Sequence, residues 1–377
     1  MTHYKRLRLL YSALTTAPGG GLTATTGLLS GIAECAQHAQ VLVICCSDSI
    51  AASIRALGAR IHVLRCSSDI GSIQRLAIQT LFLARIVRQL RIDYVITHNT
   101  PALFVNCKRI VIHHNILVFQ PCSLMLQCFS FQPRSLMLQC FSNGIRYAFL
   151  ALLAKLTRSV SHANLYVSQH LRAAARDSRP LSKVMPLAFR QAFARPADEI
   201  KRHANRVLIV TSDTWYKRND IALQVLIELR KRQPLHAWTL RVAGIASDSH
   251  FARQCKAMNI MDHVVLLGHI SQALLKTEYQ SATVLLNCSE RESFCLPLIE
   301  AMASCCTVIT ADVPPFREVT LGLAELLPDM VPAHVADVII RIARDDPQHL
   351  NATSTAERIA KYYSWQASAR TLLSVMR

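Results

Sequence analysis

Two glutamates in the second half of this sequence have the type and spacing to bind a ligand with paired hydroxyls. Glu292 lies in a polar loop after a predicted strand, and Glu300 lies eight positions later, one turn into a helix that Pro297 is placed to begin. Charged carboxylates accept hydrogen bonds from the hydroxyls of a ribose or a hexose, each contributing about 1.5 to 3 kcal/mol. The same spacing also fits two glutamates on a solvated helix face.

The elements that must position these glutamates are indicated by short β-branched and apolar runs, which alternate with amphipathic stretches. Such runs predict strands in the first half at residues 41–45, 61–64, 94–97, 110–113 and 165–167. The series restarts at residues 207–210, 239–243, 264–267, 283–286 and 307–310. This alternation predicts α/β domains with doubly wound parallel sheets, whose ligands bind at the carboxyl ends of the strands.

The length of 377 residues suits two domains of this kind. We expect an N-terminal Rossmann-like domain at residues 1–189 and a C-terminal Rossmann-like domain at residues 190–362; the family resemblance described below implies that the first is the acceptor-side domain and the second the nucleotide-sugar-binding domain. The charged, proline-containing stretch 190–205 is the predicted linker. Residues 363–377 predict a final helix with Ser364 as its N-cap, and we expect it to cross back onto the first domain.

Several short motifs resemble the donor-binding signature of the retaining glycosyltransferases of family 4, the glycosyl transferases group 1. They are E-S-F-C-L-P-L-I-E-A-M-A at residues 292–303 and the stretches 307–319, 216–222, 241–244 and 264–268, in the family's order and spacing. The resemblance implies the GT-B fold, in which two Rossmann-like domains face each other across a cleft. It also implies retaining, metal-independent sugar transfer, with the nucleotide sugar as a co-substrate and no bound cofactor.

The resemblance also implies roles for individual residues of the longest motif. Glu300 is expected to hold the donor ribose. Glu292 is expected to act at the sugar as the catalytic residue of this half, together with the backbone of Phe294, Cys295 and Leu296.

Basic residues of the same half are expected to meet the donor diphosphate. Lys217 would stabilise the negative charge that grows on the departing nucleoside diphosphate, although on its own it also fits a solvated lysine at a helix start. The family usually has an arginine in a Gly-Arg step before this lysine, where this chain has residues 211–213, Thr-Ser-Asp. Arg218 could supply the missing charge. Cys295 stands where glycine is usual and could crowd the sugar or change the choice of donor.

In the first half, two further features resemble the family's cleft loops. Gly20 and Gly21 belong to a glycine run after the first strand and are expected to approach the donor, although such a run is also typical of a plain turn. His114 follows a predicted strand, and a histidine there in relatives contacts the donor sugar. A strand-end histidine bonded to the backbone explains His114 equally well. The sequence has no Asp-x-Asp and no H-x-x-x-H, so we predict no metal site.

Composition restricts the compartment and the partners. Thirteen cysteines, an odd number without C-x-x-C, favour reduced thiols in a cytoplasmic protein over disulfides or zinc. The net charge of +18 calls for a polyanionic partner, and nucleic-acid-binding motifs are missing. We therefore expect a nucleotide-sugar donor, a glycan or lipid-linked acceptor, and peripheral contact with an anionic membrane at its inner face. No apolar run reaches the roughly 18 residues of a membrane span.

A tandem duplication stands out from the rest of the sequence. Residues 119–130 recur almost unchanged as residues 131–142, with Cys122 replaced by Arg134. A tolerated insertion in a surface loop and an amphipathic loop that touches a membrane both explain it.

The leading functional hypothesis is retaining sugar transfer onto a glycan or lipid-linked acceptor, in surface polysaccharide or glycoconjugate synthesis. The alternative is a degenerate glycosyltransferase-fold protein that binds or scaffolds without turnover, which the missing arginine, Cys295 and the duplication favour. A nucleotide-sugar epimerase or a phosphorylase on the same fold is a third possibility.

Overall fold

The computed structural model describes residues 7–16, 19–66, 78, 82–99, 102–119, 151–152, 154–156, 158–194, 202–203, 205–345 and 352–376. The chain divides into two compact units. The first unit comprises Met1–Ala188 and Ser364–Arg377, and the second comprises Phe189–Tyr363. Apart from Phe119, the duplicated segment lies outside the described residues.

The first unit is built on a parallel sheet of seven strands in the order β3-β2-β1-β4-β5-β6-β7. These strands are β1 Arg8–Ser12, β2 Gln40–Cys45, β3 Ile61–Arg65, β4 Tyr94–His98, β5 Lys108–His113, β6 Ala163–Tyr166 and β7 Ser182–Val184. Its helices include α1 Gly20–Cys35, α2 Asp48–Arg55, α3 Leu83–Leu90 and α4 Gln169–Ala175, and the chain's last helix returns to this unit. The strand order reverses between β1 and β4, so the loops after these two strands flank the switch point of the sheet.

The second unit contains a parallel sheet of six strands in the order β10-β9-β8-β11-β12-β13. The strands are β8 Arg206–Val210, β9 Thr239–Ala243, β10 Val264–Gly268, β11 Val284–Asn287, β12 Thr307–Ala311 and β13 Glu325–Leu327. The helices are α5 Asn219–Arg232, α6 His250–Ala257, α7 Gln272–Ser281, α8 Leu296–Ala303, α9 Pro314–Val319, α10 Pro332–Arg344 and α11 Ala352–Tyr362. Buried aliphatic side chains of the strands pack against α5 and α10 around Trp238, which is fully buried.

The last helix, α12 Trp365–Ser374, packs against α1 of the first unit. Ser364 caps it, because its hydroxyl accepts a hydrogen bond from the Ala367 N–H at 3.2 Å. The close approach requires glycine on α1. A Cβ at Gly27 would lie 2.0 Å from the Trp365 ring, and one at Gly31 would lie 2.3 Å from the Trp365 carbonyl oxygen.

The predicted strands are all present, each shifted at its ends by two residues at most. The short strands β7 and β13 had no clear sequence signal, since each has three residues and lies at a sheet edge. The predicted linker is partly wrong: Gln191–Ala194 form a 3-10 helix whose Phe193 is buried in the second unit, because an apolar ring there can pack against Tyr279.

Several described cysteines are buried and serve as small packing residues, Cys255 and Cys306 among them. Among the described residues, no helix combines the length and apolar character needed to cross a bilayer.

Candidate functional site

The candidate donor site of the second unit lies at the switch point of its sheet. Strand β11 pairs with β8 and with β12, and the strand order reverses between β8 and β11. The loop after β8 carries Lys217, and the loop after β11 carries Glu292. Open parallel sheets bind ligands at this edge, so the topology alone brings these two side chains together.

Lys217 and Glu292 form an ion pair, with 2.5 Å between Nζ and Oε1, and each side chain is 16% exposed. Burial is the largest single influence and opposes the charging of the ammonium, but the charge and hydrogen bond of Glu292, together with Cys295 and Tyr216, raise the pKa of Lys217 above its ordinary value. The lysine is therefore a fixed cation across the physiological pH range. The pair joins the two loops in the absence of ligand and presents a cation and a carboxylate at one place.

Arg218 lies next to this ion pair but is held by acidic neighbours. Its guanidinium contacts both carboxylate oxygens of Asp220, at 3.0 to 3.3 Å, and also binds Glu290. Its backbone is left-handed, with φ at 48°, where the 3-10 helix Trp215–Lys217 gives way to α5. The arginine can meet a phosphate only by sharing or leaving these carboxylates.

Asp213 occupies the stretch where the family usually has its arginine. Its Oδ2 accepts hydrogen bonds from the N–H groups of His250 and Phe251, at 2.8 and 3.2 Å, and Ser249 caps the same helix end through Ala252. The carboxylate thus satisfies the N-terminus of α6 and neutralises its positive dipole end. In place of the missing arginine, the chain therefore has a residue of opposite charge, and this residue has a structural role.

The start of α8 is shaped by an unusual residue. Cys295 has φ at 66°, a left-handed conformation that suits glycine and strains a residue with a Cβ. The thiol is buried and lies 3.8 Å from the Asn287 side-chain oxygen. Phe294 and Leu296 on either side are also buried, with Phe294 packed edge to face against Tyr363. At this helix start Pro297 has no N–H, and the Leu298 N–H donates to the Cys295 carbonyl oxygen at 3.1 Å and also acts on the Cys295 thiol.

Glu300 is buried, with 5% of its surface exposed. Among the described residues, its carboxylate receives one hydrogen bond, from the Tyr279 hydroxyl to Oε2 at 3.2 Å. Burial raises the pKa of Glu300 to about 7, although the Tyr279 hydrogen bond and the charge of Arg190 lower it. Buried carboxylates usually have more hydrogen-bond partners than this, so Glu300 is a candidate to accept further hydrogen bonds from the hydroxyls of a ligand.

The thiol of Cys295 links the three predicted charged residues. Burial raises its pKa first of all, and the charges of Glu292, Lys217 and Glu300 also act on it. Lys217 is paired with Glu292, which lies three positions before Cys295, and Glu300 lies in the second turn of α8. The structure thus pairs Lys217 with Glu292 near the start of the helix that carries Glu300.

Gly20 and Gly21 are both exposed, and they lie inside the first turn of α1. The second half of the glycine run is therefore helical and not a plain turn. Gly19 has φ at 84° and takes the N-cap position, so the backbone reversal that requires glycine occurs there. A Cβ at Gly21 would meet no atom within 4 Å, which leaves open space in front of this helix start.

His114 follows β5 and contacts Asn99 rather than a backbone carbonyl. The ring Nε2 of His114 lies 3.1 Å from the Asn99 side-chain nitrogen. The backbone N–H of His114 donates to the Asn99 side-chain oxygen at 3.0 Å. The ring packs edge to face on His98.

The preceding residue, His113, is fully buried and stacks on Tyr166. Its Nε2 lies 2.8 Å from the Asn164 side-chain oxygen. The partner predicted for a strand-end histidine was the backbone, and the structure instead gives side-chain amides in both cases. Among the described residues, no group of three or more His, Cys, Asp or Glu side chains could hold a metal ion.

Sequence reasoning missed three residues of this site. Tyr279, Asp213 and Asn99 each contact a predicted residue or replace one. The signal for Asp213 was present, because an acidic residue before a helix is a common cap, but its helix begins 37 positions later in the chain. The pairing of Tyr279 with Glu300 depends on the packing of α7 against α8 and had no local signal.

Comparison with known proteins finds similarity to glycosyltransferases. Residues 191–359 match the family model Glycosyl transferases group 1. The D-inositol 3-phosphate glycosyltransferase of Kineococcus radiotolerans is 29% identical over 209 residues, which are 50% of this chain and 47% of that protein. The chain thus spans about half the length of this curated relative.

Solved structures resemble the chain over nearly its whole length. A glycosyltransferase from Rickettsia africae has a TM-score of 0.69 at 14% identity and covers 99% of this chain and 98% of its own. Anabaena HepE, solved with UDP and glucose, has a TM-score of 0.67 at 15% identity and covers 98% and 99%. The chain has the fold of GT-B glycosyltransferases. The predicted class, two α/β domains with parallel sheets, is confirmed.

Proposed function

We propose that this protein is a retaining, metal-independent glycosyltransferase that moves a sugar from a nucleotide-sugar donor to a hydroxyl acceptor. The observation that carries the proposal is the buried Glu300, which has one hydrogen bond and lies with Lys217 and Glu292 around the start of α8. A ribose supplies the hydroxyl donors that this carboxylate lacks. A diphosphate supplies the negative charge that suits the helix start and the lysine.

In this proposal the charged side chains act on the leaving group and on the sugar. As the glycosidic bond breaks, negative charge grows on the diphosphate, and Lys217 and Arg218 stabilise it more than they stabilise the bound donor. Glu292, held in place by Lys217, and the backbone from Phe294 to Leu296 orient the sugar. The acceptor hydroxyl enters on the face that the leaving group vacates, with no covalent intermediate on the protein.

The acceptor class follows from similarity and from charge. The curated relative is named for D-inositol 3-phosphate, and a phosphorylated polyol suits a chain with a net charge of +18. We propose a phosphorylated polyol or a lipid-linked glycan as the acceptor, and surface glycoconjugate synthesis as the process. For the first unit we propose that His114 contacts the donor sugar and that the backbone at Gly20 and Gly21 approaches the donor.

Peripheral contact with the inner face of an anionic membrane is part of the same proposal. The net positive charge supports it, as do exposed apolar side chains such as Phe104, Leu152 and Leu156. Sedimentation with vesicles of anionic and of neutral lipid tests it. We expect salt-sensitive binding to the anionic vesicles alone, and equal sedimentation with both would contradict the contact.

Turnover with nucleotide sugars tests the function itself. The protein is incubated with UDP-glucose, UDP-N-acetylglucosamine or GDP-mannose, with and without inositol 3-phosphate or a glycan acceptor, and product is followed by mass spectrometry. We expect acceptor-dependent release of the nucleoside diphosphate. Binding of a donor without product on any acceptor would support the degenerate binding protein, which the acidic Asp213 in place of an arginine favours.

A further inference from the structure

Tyr279 contacts Glu300 of the proposed donor site and was identified by no motif. It lies in α7, is fully buried, and donates its hydroxyl proton to Glu300 Oε2 at 3.2 Å. Phe193 of the 3-10 helix packs edge to face on its ring, with 5.9 Å between the ring centroids. The ring is thus held from a second side, so its hydroxyl has a fixed direction.

This contact decides what Glu300 can offer to a ligand. A carboxylate has two oxygens, and a rotating side chain would present either of them. The Tyr279 hydroxyl occupies Oε2 and fixes the plane of the carboxylate, which leaves Oε1 as the acceptor for an incoming hydroxyl. Preorganised acceptors bind more tightly because less side-chain entropy is lost on binding.

We propose that Tyr279 is a positioning residue of the donor site, whose hydroxyl holds one oxygen of Glu300 so that the other binds a ribose hydroxyl of the nucleotide. The inference rests on the proposed function for the identity of the ligand. It adds a residue through which Glu300 acts, and it assigns separate tasks to the two carboxylate oxygens.

The charge of Glu300 depends on the same contact. Burial and the charge of Glu300 raise the pKa of Tyr279 well above its ordinary value, so the hydroxyl remains a donor. The groups that act on Glu300 are Tyr279 from α7, Arg190 ahead of the 3-10 helix, and Cys295 at the start of α8. On α11, Glu357 acts on Cys305 instead. Since the Tyr279 hydrogen bond lowers the pKa of Glu300, its loss would raise that pKa further.

Replacement of one hydroxyl group tests the inference. Donor affinity of the wild type and of Tyr279→Phe is measured by calorimetry with UDP-glucose, and with GDP-mannose if that donor binds better, between pH 6 and pH 9. Nucleotide sugars are suitable probes because they lack the terminal phosphate that titrates near pH 6. The donor affinity of the wild type should rise as the pH increases through 7, because Glu300 ionises there. In Tyr279→Phe we expect the midpoint of this rise to lie about one pH unit higher.

The expected loss is therefore largest near neutrality. With a midpoint shifted by one unit, the affinity of Tyr279→Phe falls about fivefold at pH 7 and less than about twofold at pH 9. Turnover at saturating donor should stay within about twofold of the wild type, because the hydroxyl does not contact the reacting atoms. A loss of equal size at pH 7 and pH 9 would indicate a merely structural role and would overturn the inference.

Two controls make the shift specific. Tyr363→Phe removes another buried hydroxyl of the same unit, one that donates to the Val319 carbonyl at 2.9 Å, and should leave the midpoint unchanged. Glu300→Gln should abolish the pH dependence of affinity in this range. A midpoint that moves equally in Tyr363→Phe would contradict the assignment to Tyr279.

A measurement without ligand separates this inference from the proposed function. The unfolding free energies of the wild type and of Tyr279→Phe are compared with those of Glu300→Gln from pH 5 to pH 9. We expect the Glu300-dependent change to develop above about pH 4.5 and to level off near pH 7 in the wild type, and to level off at a higher pH in Tyr279→Phe. If no nucleotide sugar binds the wild type, the proposed function fails and the ribose assignment with it. Curves that level off at the same pH in both proteins would overturn the role of Tyr279 at Glu300.

Discussion

The second unit buries a carboxyl group close to the switch point of its sheet, and the first unit buries an imidazole at the end of β5 in its own. Desolvation disfavours the charged form of both, so it raises the pKa of Glu300 to about 7 and lowers that of His113 to about 4. Their surroundings differ, however. His113 stacks on Tyr166 and is bonded to Asn164, whereas Glu300 has a single hydrogen bond among the described residues.

In our proposal, this difference separates a residue that serves the fold from one that binds a ligand. Stacking and an amide partner hold His113 as a neutral core group. A buried carboxyl with one partner costs stability wherever it is ionised, and a site with ligand-binding function is the usual reason to retain such a group. The predictions below test this contrast, starting with the largest expected effect.

Removal of the site cation should have the largest effect. Lys217→Ala is expected to lower the turnover number by about 100-fold or more, the scale for losing one preorganised group that stabilises transition-state charge. Steady-state rates with a saturating nucleotide sugar measure this. Lys231→Ala is the matched control, since that lysine is 74% exposed on α5. Equal turnover numbers in the two variants would show that Lys217 does not stabilise the transition state.

The two units should respond to pH in opposite directions. Glu300 has a raised pKa in the folded state, so its contribution is fully present below about pH 4.5 and is lost as the pH rises through 7. His113 has a lowered pKa, so its contribution is present above pH 6.5 and is lost as the pH falls through 4. Each shift corresponds to about 3 kcal/mol.

Single substitutions distinguish these contributions. We expect Glu300→Gln to be more stable than the wild type at pH 8, by up to about 3 kcal/mol, and to lose this advantage near pH 4.5. His113→Asn should show no comparable gain at pH 8, and Glu228→Gln is a control at an exposed ion pair. Urea unfolding at both pH values measures the differences. A Glu300→Gln effect that is the same at both pH values would contradict the assigned pKa.

Close packing of α12 on α1 predicts an effect of intermediate size within the first unit. Gly31→Ala should destabilise this unit by about 1 to 3 kcal/mol, because the new methyl group would meet the Trp365 carbonyl oxygen at 2.3 Å. Gly21→Ala lies in the same helix with nothing within 4 Å and should not destabilise it. Thermal unfolding compares the two. Equal loss in both would argue against the packing described for α12.

The smallest expected effect concerns the backbone at the start of α8. Cys295→Gly should be more stable than Cys295→Ala by about 1 kcal/mol, because only glycine adopts a φ of 66° without strain. Chemical denaturation of the two variants measures the difference, and the donor affinity of Cys295→Gly shows whether the thiol restricts the sugar. An alanine variant as stable as the glycine variant would contradict the left-handed assignment.

Much of this architecture could be predicted from sequence, because it depends on local patterns. The β-branched runs predicted the strands, the proline at position 297 predicted the start of α8, and Ser364 predicted the cap of α12. The spacing of Glu292 and Glu300 with Lys217 placed three charged residues around one helix start. Because the strands are parallel, the loops that carry Lys217 and Glu292 lie at the same edge of the sheet.

The remaining features depend on contacts between segments distant in the chain. Tyr279 reaches Glu300 only because α7 packs beside α8. In the sequence, Asp213 marked only the loss of the family's arginine. Its role as a cap of α6 depends on the packing of the loop after β8 against that helix. Arg218 looked available for phosphate, but Asp220 and Glu290 hold it. Local patterns contain no information about such partners.

The most direct test of the central claim is a calorimetric titration of a nucleotide sugar at pH 8, where Glu300 is largely ionised. The account predicts that the wild type binds a donor and that Glu300→Ala binds it more weakly by about 1.5 to 3 kcal/mol. The same donor affinity in the wild type and in Glu300→Ala would contradict it.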